Sequence, residues 1–258
     1  MPTAAWRGPD GDRPDLPLPP ARMPLLRGGR PLKRWRWVGA FSAGVMACVA
    51  RASVGGMPVT WWAAWDGERL HEGTRGVRLG PGRAEAPDID LRFDEVAGVE
   101  VDSPHGRQYI WTRKQAGIPV RGTVLGRRFK GGGFVDDSAG YHARETAWRW
   151  SAGVGVAESG APVAWNLVDG VHDALQASER TVWVDGTPHH VEPLAFAADL
   201  SRVGELRCDA VAVRSHRQNR VVVSSDYEMP FGRFSGSLPV AGRLREGWGV
   251  MESHRVRW

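Results

Sequence analysis

Asp136 and Asp137 stand beside Ser138, Tyr141 and His142, and Trp148 and Trp150 follow within eighteen positions of Gly133. A carboxyl group walled by two tryptophans loses water, its pKa rises, and it can hold a proton near neutral pH. That chemistry is general acid or base catalysis, with Asp136 or Asp137 as the acid and Tyr141 and His142 close by in sequence. The same residues also suit a turn, in which Asp and Ser cap backbone N–H groups and the Tyr141 hydroxyl rests on main chain. Composition favours the turn. Ser138, Asp136 and His142 are too close in sequence to form a triad, and no nucleophile elbow surrounds the serine. The surroundings of Asp136 separate the two readings: a deep apolar pocket favours catalysis, and an ion pair favours scaffolding.

A second cluster runs from Trp165 through Asn166 and Asp169 to His172. On a strand Trp165, Leu167 and Asp169 share one face, and Asn166 and Val168 take the other. A buried Asn needs partners, so an inward Asn166 specifies a ligand or a polar network; a strand-end turn is the alternative. Trp111 and Arg113, with Lys114 and Arg149, bring cations near aromatic rings, although such stems more often lie over an outer sheet face. These clusters nominate Trp111, Arg113, Trp148, Trp150, Trp165, Asn166, Asp169 and His172 as ligand-binding residues. His189 and His190 point to opposite faces of a strand, and no second group has ligand spacing, so no metal site is expected. Gly131-Gly132-Gly133 lacks the Lys-Ser/Thr of a phosphate loop. No cofactor is implied.

Elements must bring these residues together, and 258 residues with 42% apolar content can bury a full core. Only three of the 34 basic residues are lysine. Residues 1–36 hold eight basic and three acidic side chains, whereas residues 37–258 hold 26 of each. The surplus charge therefore sits in an N-terminal arm, and the neutral body lacks the cationic footprint that nucleic acid requires. Cys48 and Cys208 read as two buried free thiols, which fits a cytoplasmic location. No run reaches the roughly 18–20 apolar residues of a transmembrane helix. Val38 to Ala50, behind a basic flank, reads as a hairpin rather than a cleaved signal.

Eight prolines in residues 1–33 predict an arm that is either extended and polyproline-like, lying across the body, or disordered. Beyond it the pattern has period two. Ile89-Asp90-Leu91-Arg92-Phe93 alternates apolar and charged, and Asp66-Gly67 and Asp185-Gly186 are hairpin turns. Strands are also expected at 98–102, 108–113, 120–125, 161–168, 181–185, 207–214, 220–227, 235–240 and 248–252. Only Pro193 to Val203 looks helical, with Leu194, Ala197 and Leu200 on one face. The class is all-β, an antiparallel sandwich or barrel.

Six short pieces recur in order. They are Trp-Arg-Trp (35–37, 148–150), Ser-Ala-Gly-Val (42–45, 151–154), Pro-Val-x-Trp (58–61, 162–165), Asp-Gly (66–67, 169–170), Pro-Val-x-Gly (119–122, 239–242) and a glycine-led acidic strand (133–138, 249–254). They predict two tandem β halves, 34–142 and 143–258, behind the arm 1–33.

Leu16 to Pro20, Arg34 to Trp37, Ile110 to Lys114, Val135 to His142 and Trp165 to Gly170 resemble a bacterial family known as domain of unknown function 2804. That family is more remotely similar to carotenoid hydratase, tocopherol cyclase and AttH-type proteins. The resemblance implies two lipocalin-like halves of calycin type and an apolar cavity for an isoprenoid or lipid-like ligand. It also implies an acidic group, Asp136 or Asp137, able to protonate an alkene, with Trp148 and Trp150 facing the cation. The leading expectation is a binding protein for a small apolar ligand; the others are a cofactor-independent hydratase, cyclase or isomerase, and a structural or partner-binding protein.

Overall fold

The computed structural model describes residues 4–9, 11–219 and 224–258. The arm and first half contribute β1 (Trp6–Arg7), β2 (Leu26–Arg27), β3 (Arg30–Pro31), β4 (Lys33–Ser42), β5 (Val45–Val54), β6 (Met57–Trp65) and β7 (Leu70–Gly73). There follow β8 (Arg78–Gly80), β9 (Arg83–Ala86), β10 (Ile89–Phe93), β11 (Val99–His105), β12 (Gln108–Val124) and β13 (Arg127–Gly140). The second half contributes β14 (Glu145–Ala157), β15 (Pro162–Asp169), β16 (Thr181–Val184), β17 (Thr187–His190), β18 (Arg202–Val203), β19 (Leu206–Asn219), β20 (Ser224–Leu238) and β21 (Gly242–Arg257). The strand expected at 220–227 begins outside the described residues.

All pairings are antiparallel and, apart from the separate β2–β3 pair in the arm, fall into two large sheets. The first runs β7-β6-β5-β4-β13-β12-β10-β9-β8, with β11 bridging β12 and β1, and the second runs β17-β16-β15-β14-β21-β20-β19-β18. The protein is thus all-β, in two halves. Neither sheet closes: β7 and β8 end one, and β17 and β18 the other, without pairing to each other. Each sheet instead curls over its own apolar core, so the expected barrels are open, sandwich-like units. No helix long and apolar enough to cross a membrane occurs among the described residues.

Period-two alternation decides which side chain goes where. Val38, Val49, Leu91, Val120 and Val135 fill the first curl. Trp165, Leu167, Leu206, Phe234 and Met251 fill the second. The opposite faces pack on one another: Trp37, Phe134 and Val101 of the first sheet share a cluster with Trp150, Val168, Phe231 and Val250 of the second. This seam is the largest core of the molecule. The tryptophans at 148 and 150 point into it, toward the other sheet, and not into an enclosed barrel.

Pro193 to Val203 is not helical. Ala197 and Gly204 donate to the carbonyls of Arg202 and Ala195, Phe196 bridges Val203, and Leu200 adopts φ 59°. Leu194 and Leu200 face the second core as a folded-back loop, so burial alone reproduces the one-sided apolar pattern. The proline-rich arm lies on the body, with Leu18, Met23 and Leu32 packed on Tyr109, Trp111 and Tyr141.

Two of the six repeated pieces take corresponding places. Trp37 lies opposite Asp136 in the first sheet, and Trp150 opposite Glu252 in the second. The other pieces do not correspond; residues 42–45 make a turn whereas 151–154 lie inside β14.

Candidate functional site

Lys33, Trp35 and Trp37 alternate toward the seam on β4, as Trp148 and Trp150 do on β14. The Trp35 and Trp148 rings stack across it, 6.3 Å apart and 7° from parallel. Each indole N–H donates to a carboxyl on the neighbouring strand: Trp35 Nε1 to Asp136 Oδ2 at 3.0 Å, Trp148 Nε1 to Glu252 Oε1 at 2.7 Å. Asp136 and Glu252 are therefore counterparts on β13 and β21.

Their remaining partners differ. Asp136 Oδ1 meets Lys114 Nζ at 2.6 Å and also accepts from Thr112 and Ser138. Lys114 in turn lies 3.2 Å from Glu179 Oε2, so one buried ammonium is shared by two carboxyls. Burial works against the Lys114 charge, but Asp136 and Glu179 outweigh it and raise its pKa. Burial pushes Glu179 up to about 7; Lys114 opposes that, and Asp136 adds to it. Asn166 Nδ2 reaches the Glu179 carbonyl at 2.8 Å, and its Oδ1 accepts from Trp150 Nε1 at 2.7 Å.

Glu252 has no such cation. In the register of the second sheet Glu228 pairs with Ser253, which sets Met229 where the first sheet has Lys114. Glu252 makes no ion pair among the described residues, and burial raises its pKa to about 7, against hydrogen bonds from Trp148 and Tyr227. His172 enters from the loop after β15 with φ 48°, its Nδ1 2.9 Å from Ser103 Oγ on β11.

The seam thus gathers Asp136, Trp148, Trp150, Asn166 and His172, with His142 at its edge, 5.1 Å from the Trp35 ring. The other nominated residues lie elsewhere. Asp137 points to the opposite face of β13, where it holds Arg36 and Arg113 at 2.9 and 2.8 Å beside Glu95. Adjacent strand residues must diverge in this way. Tyr141 donates to the Pro24 carbonyl, and Trp111 is bonded to Glu100; both sit beneath the arm. Trp165 belongs to the second core, donating to Ser151, and Asp169 is exposed beside Arg149. Asp136 is ion-paired, the arrangement that favours scaffolding in the sequence reading, and the buried carboxyls that burial raises to about 7 are Glu179 and Glu252 in the seam and Asp102 on β11. Glu252 had a sequence signal: aligning 133–138 with 249–254 superposes it on Asp136. Glu179 had none, because it lies in a loop without periodicity.

His190 Nε2 is 2.7 Å from Ser178 Oγ, and no three His, Cys, Asp or Glu side chains among the described residues are placed to hold a metal. An open groove of about 500 Å³ bordered by Glu145, Arg255 and Arg257 contains none of the seam groups.

No curated protein matches the chain. Among solved structures it is similar to an AttH-type protein (NE1406) of Nitrosomonas europaea, with 10% identity over 87% of this chain and 92% of that one, at a TM-score of 0.41. Kievitone hydratase of Nectria haematococca gives 8% identity over 86% and 88%, at 0.42, and CghA gives 8% over 88% and 88%, at 0.38. Likenesses at this level carry no argument about chemistry. Residues 68–258 match the family described as Domain of unknown function (DUF2804), and the chain belongs to that family.

Proposed function

We propose that the seam is a cofactor-independent acid–base site for a small, largely apolar molecule, with Glu252 as proton donor and the Lys114-paired Asp136 as its counterpart on the other sheet. One observation carries this reading. Two carboxyls occupy equivalent places, and their surroundings differ by a lysine against a methionine. A carboxyl raised by burial, as Glu252 is, suits the role of general acid. A proton passing from Glu252 to an alkene or enol carbon would leave a cation facing the Trp35 and Trp148 rings, which stabilise positive charge. In a hydration, water then adds and its proton returns to a carboxylate, so only water is consumed. In an isomerisation the proton leaves from another carbon.

The test is turnover of a panel of polyenes and enones, followed by liquid chromatography and mass spectrometry. Glu252→Gln should lower the rate at least 100-fold while leaving bound ligand detectable by native mass spectrometry. The wild-type rate should fall as pH rises through about 7, where Glu252 loses its proton. A substrate converted equally by Glu252→Gln and Glu179→Gln would end the reading. The Asp136–Lys114 ion pair favours a second reading, a binding protein without turnover. A co-purifying apolar ligand that wild type releases unchanged would favour it.

A further inference from the structure

Two of the three lysines in the chain face the seam and are buried. Lys114 has two carboxyl partners. Lys33 has none among the described residues: its ammonium donates to the His142 carbonyl at 3.2 Å and lies 4.9 Å above the Trp258 ring. A buried cation without a counter-ion is costly, and proteins rarely keep one without a use. Around it, His142 Nδ1, His105 Nε2 and Trp258 Nε1 are buried and have no hydrogen-bond partner among the described residues, and the same is true of His172 Nε2, which neighbours His142 and His105. The His105 and His142 rings are 5.6 Å apart, and His142 and Trp258 6.5 Å. Buried polar atoms are nearly always satisfied, so several orphans in one neighbourhood call for a missing polar partner.

The sign of that partner follows from the field. His142 is pushed down to about 3 by burial, then by His105 and Lys33, against the Gly140 carbonyl. His105 is lowered by burial, Arg30 and Lys33, with Asp173 alone opposing. His172 is lowered by burial and Lys114, and Lys33 falls to about 8 through burial and Arg30. The neighbourhood is thus electropositive and rich in neutral imidazoles. We infer that the Lys33 end of the seam is an oxyanion subsite, which takes the carboxylate of an otherwise apolar molecule whose body lies along Trp35 and Trp148.

This inference rests on the seam being a ligand cleft, and its test separates the two. Decanoate, decanol and inorganic phosphate are titrated against the full chain by tryptophan fluorescence. Decanoate should bind at least tenfold tighter than decanol or phosphate, the advantage should vanish in Lys33→Met, and it should weaken as pH rises through about 8, where Lys33 loses its charge. Nuclear magnetic resonance of the wild type guards against a Lys33→Met variant that fails to fold. Decanoate should shift the His142 and His172 ring signals and leave those of exposed His71 and His216 in place. Decanol bound as tightly as decanoate would overturn the subsite and spare the cleft, and failure of both ligands would overturn both. Phosphate bound as well as decanoate, retained advantage in a folded Lys33→Met, or unmoved histidine signals would each overturn the subsite.

Discussion

Glu252 and Asp136 show how a single neighbour sets the chemistry of a carboxyl. Both accept an indole N–H, and both are turned from water, but only Asp136 has an ammonium. The consequence for stability has a definite sign. The native state holds the Glu252 proton up to about 7, whereas an unfolded glutamate releases it near 4.5. Stabilisation from that proton is complete below about pH 4.5 and is lost as pH rises through about 7. At ~1.4 kcal/mol per pKa unit, the loss is at most about 3–4 kcal/mol. Urea unfolding at pH 4.5, 6 and 8 should therefore show Glu252→Gln gaining on wild type as pH increases, by up to that amount. Buried His142 and Glu179 act alike in both proteins and cancel in the difference. Parallel pH curves would remove Glu252 from the buried acids.

Strands β13 and β14 meet across the seam because glycines let them. A Cβ on Gly132 would lie 2.8 to 3.0 Å from the Val154 side chain on the other sheet. Gly132→Ala must push the sheets apart or displace Val154, and overpacking of this kind costs about 1–3 kcal/mol. Gly80, on β8, has nothing within 4 Å of the same position, so Gly80→Ala serves as the control. Thermal melting should place Gly132→Ala several degrees below wild type and Gly80→Ala close to it. Equal melting temperatures would mean that the seam is looser than its contacts imply. The glycine run is thus explained by close packing. The 193–203 segment shows the converse hazard: Leu194, Ala197 and Leu200 have helical spacing, but tertiary burial of a bent loop satisfies it equally well.

Because the largest core is shared, the two sheets should lose structure together. Cys48 belongs to the shared core and Cys208 to the second curl, and burial pushes both thiols up to about 12. Neither should react with a thiol reagent in the native protein. In rising denaturant both should become reactive at one midpoint, coincident with the change in tryptophan fluorescence. Release of Cys208 at a lower concentration than Cys48 would show that the second half opens alone and that the seam does not couple them.

Strand periodicity is a property of neighbouring residues, so the chain alone determined the all-β class, the hairpins at Asp66-Gly67 and Asp185-Gly186, and the recurrence of Trp-Arg-Trp and of a glycine-led acidic strand in both halves. It also nominated Asp136, Trp148, Trp150, Asn166 and His172, which the fold brings together at the seam between the sheets. Alternation says that two faces exist and not which one meets a partner. Only the tertiary structure decided that Asp137 turns away, that the aromatic face packs on the opposite sheet, and that Lys114 reaches Glu179. Those contacts join residues far apart in sequence, and their energy comes from mutual burial, which no local pattern encodes.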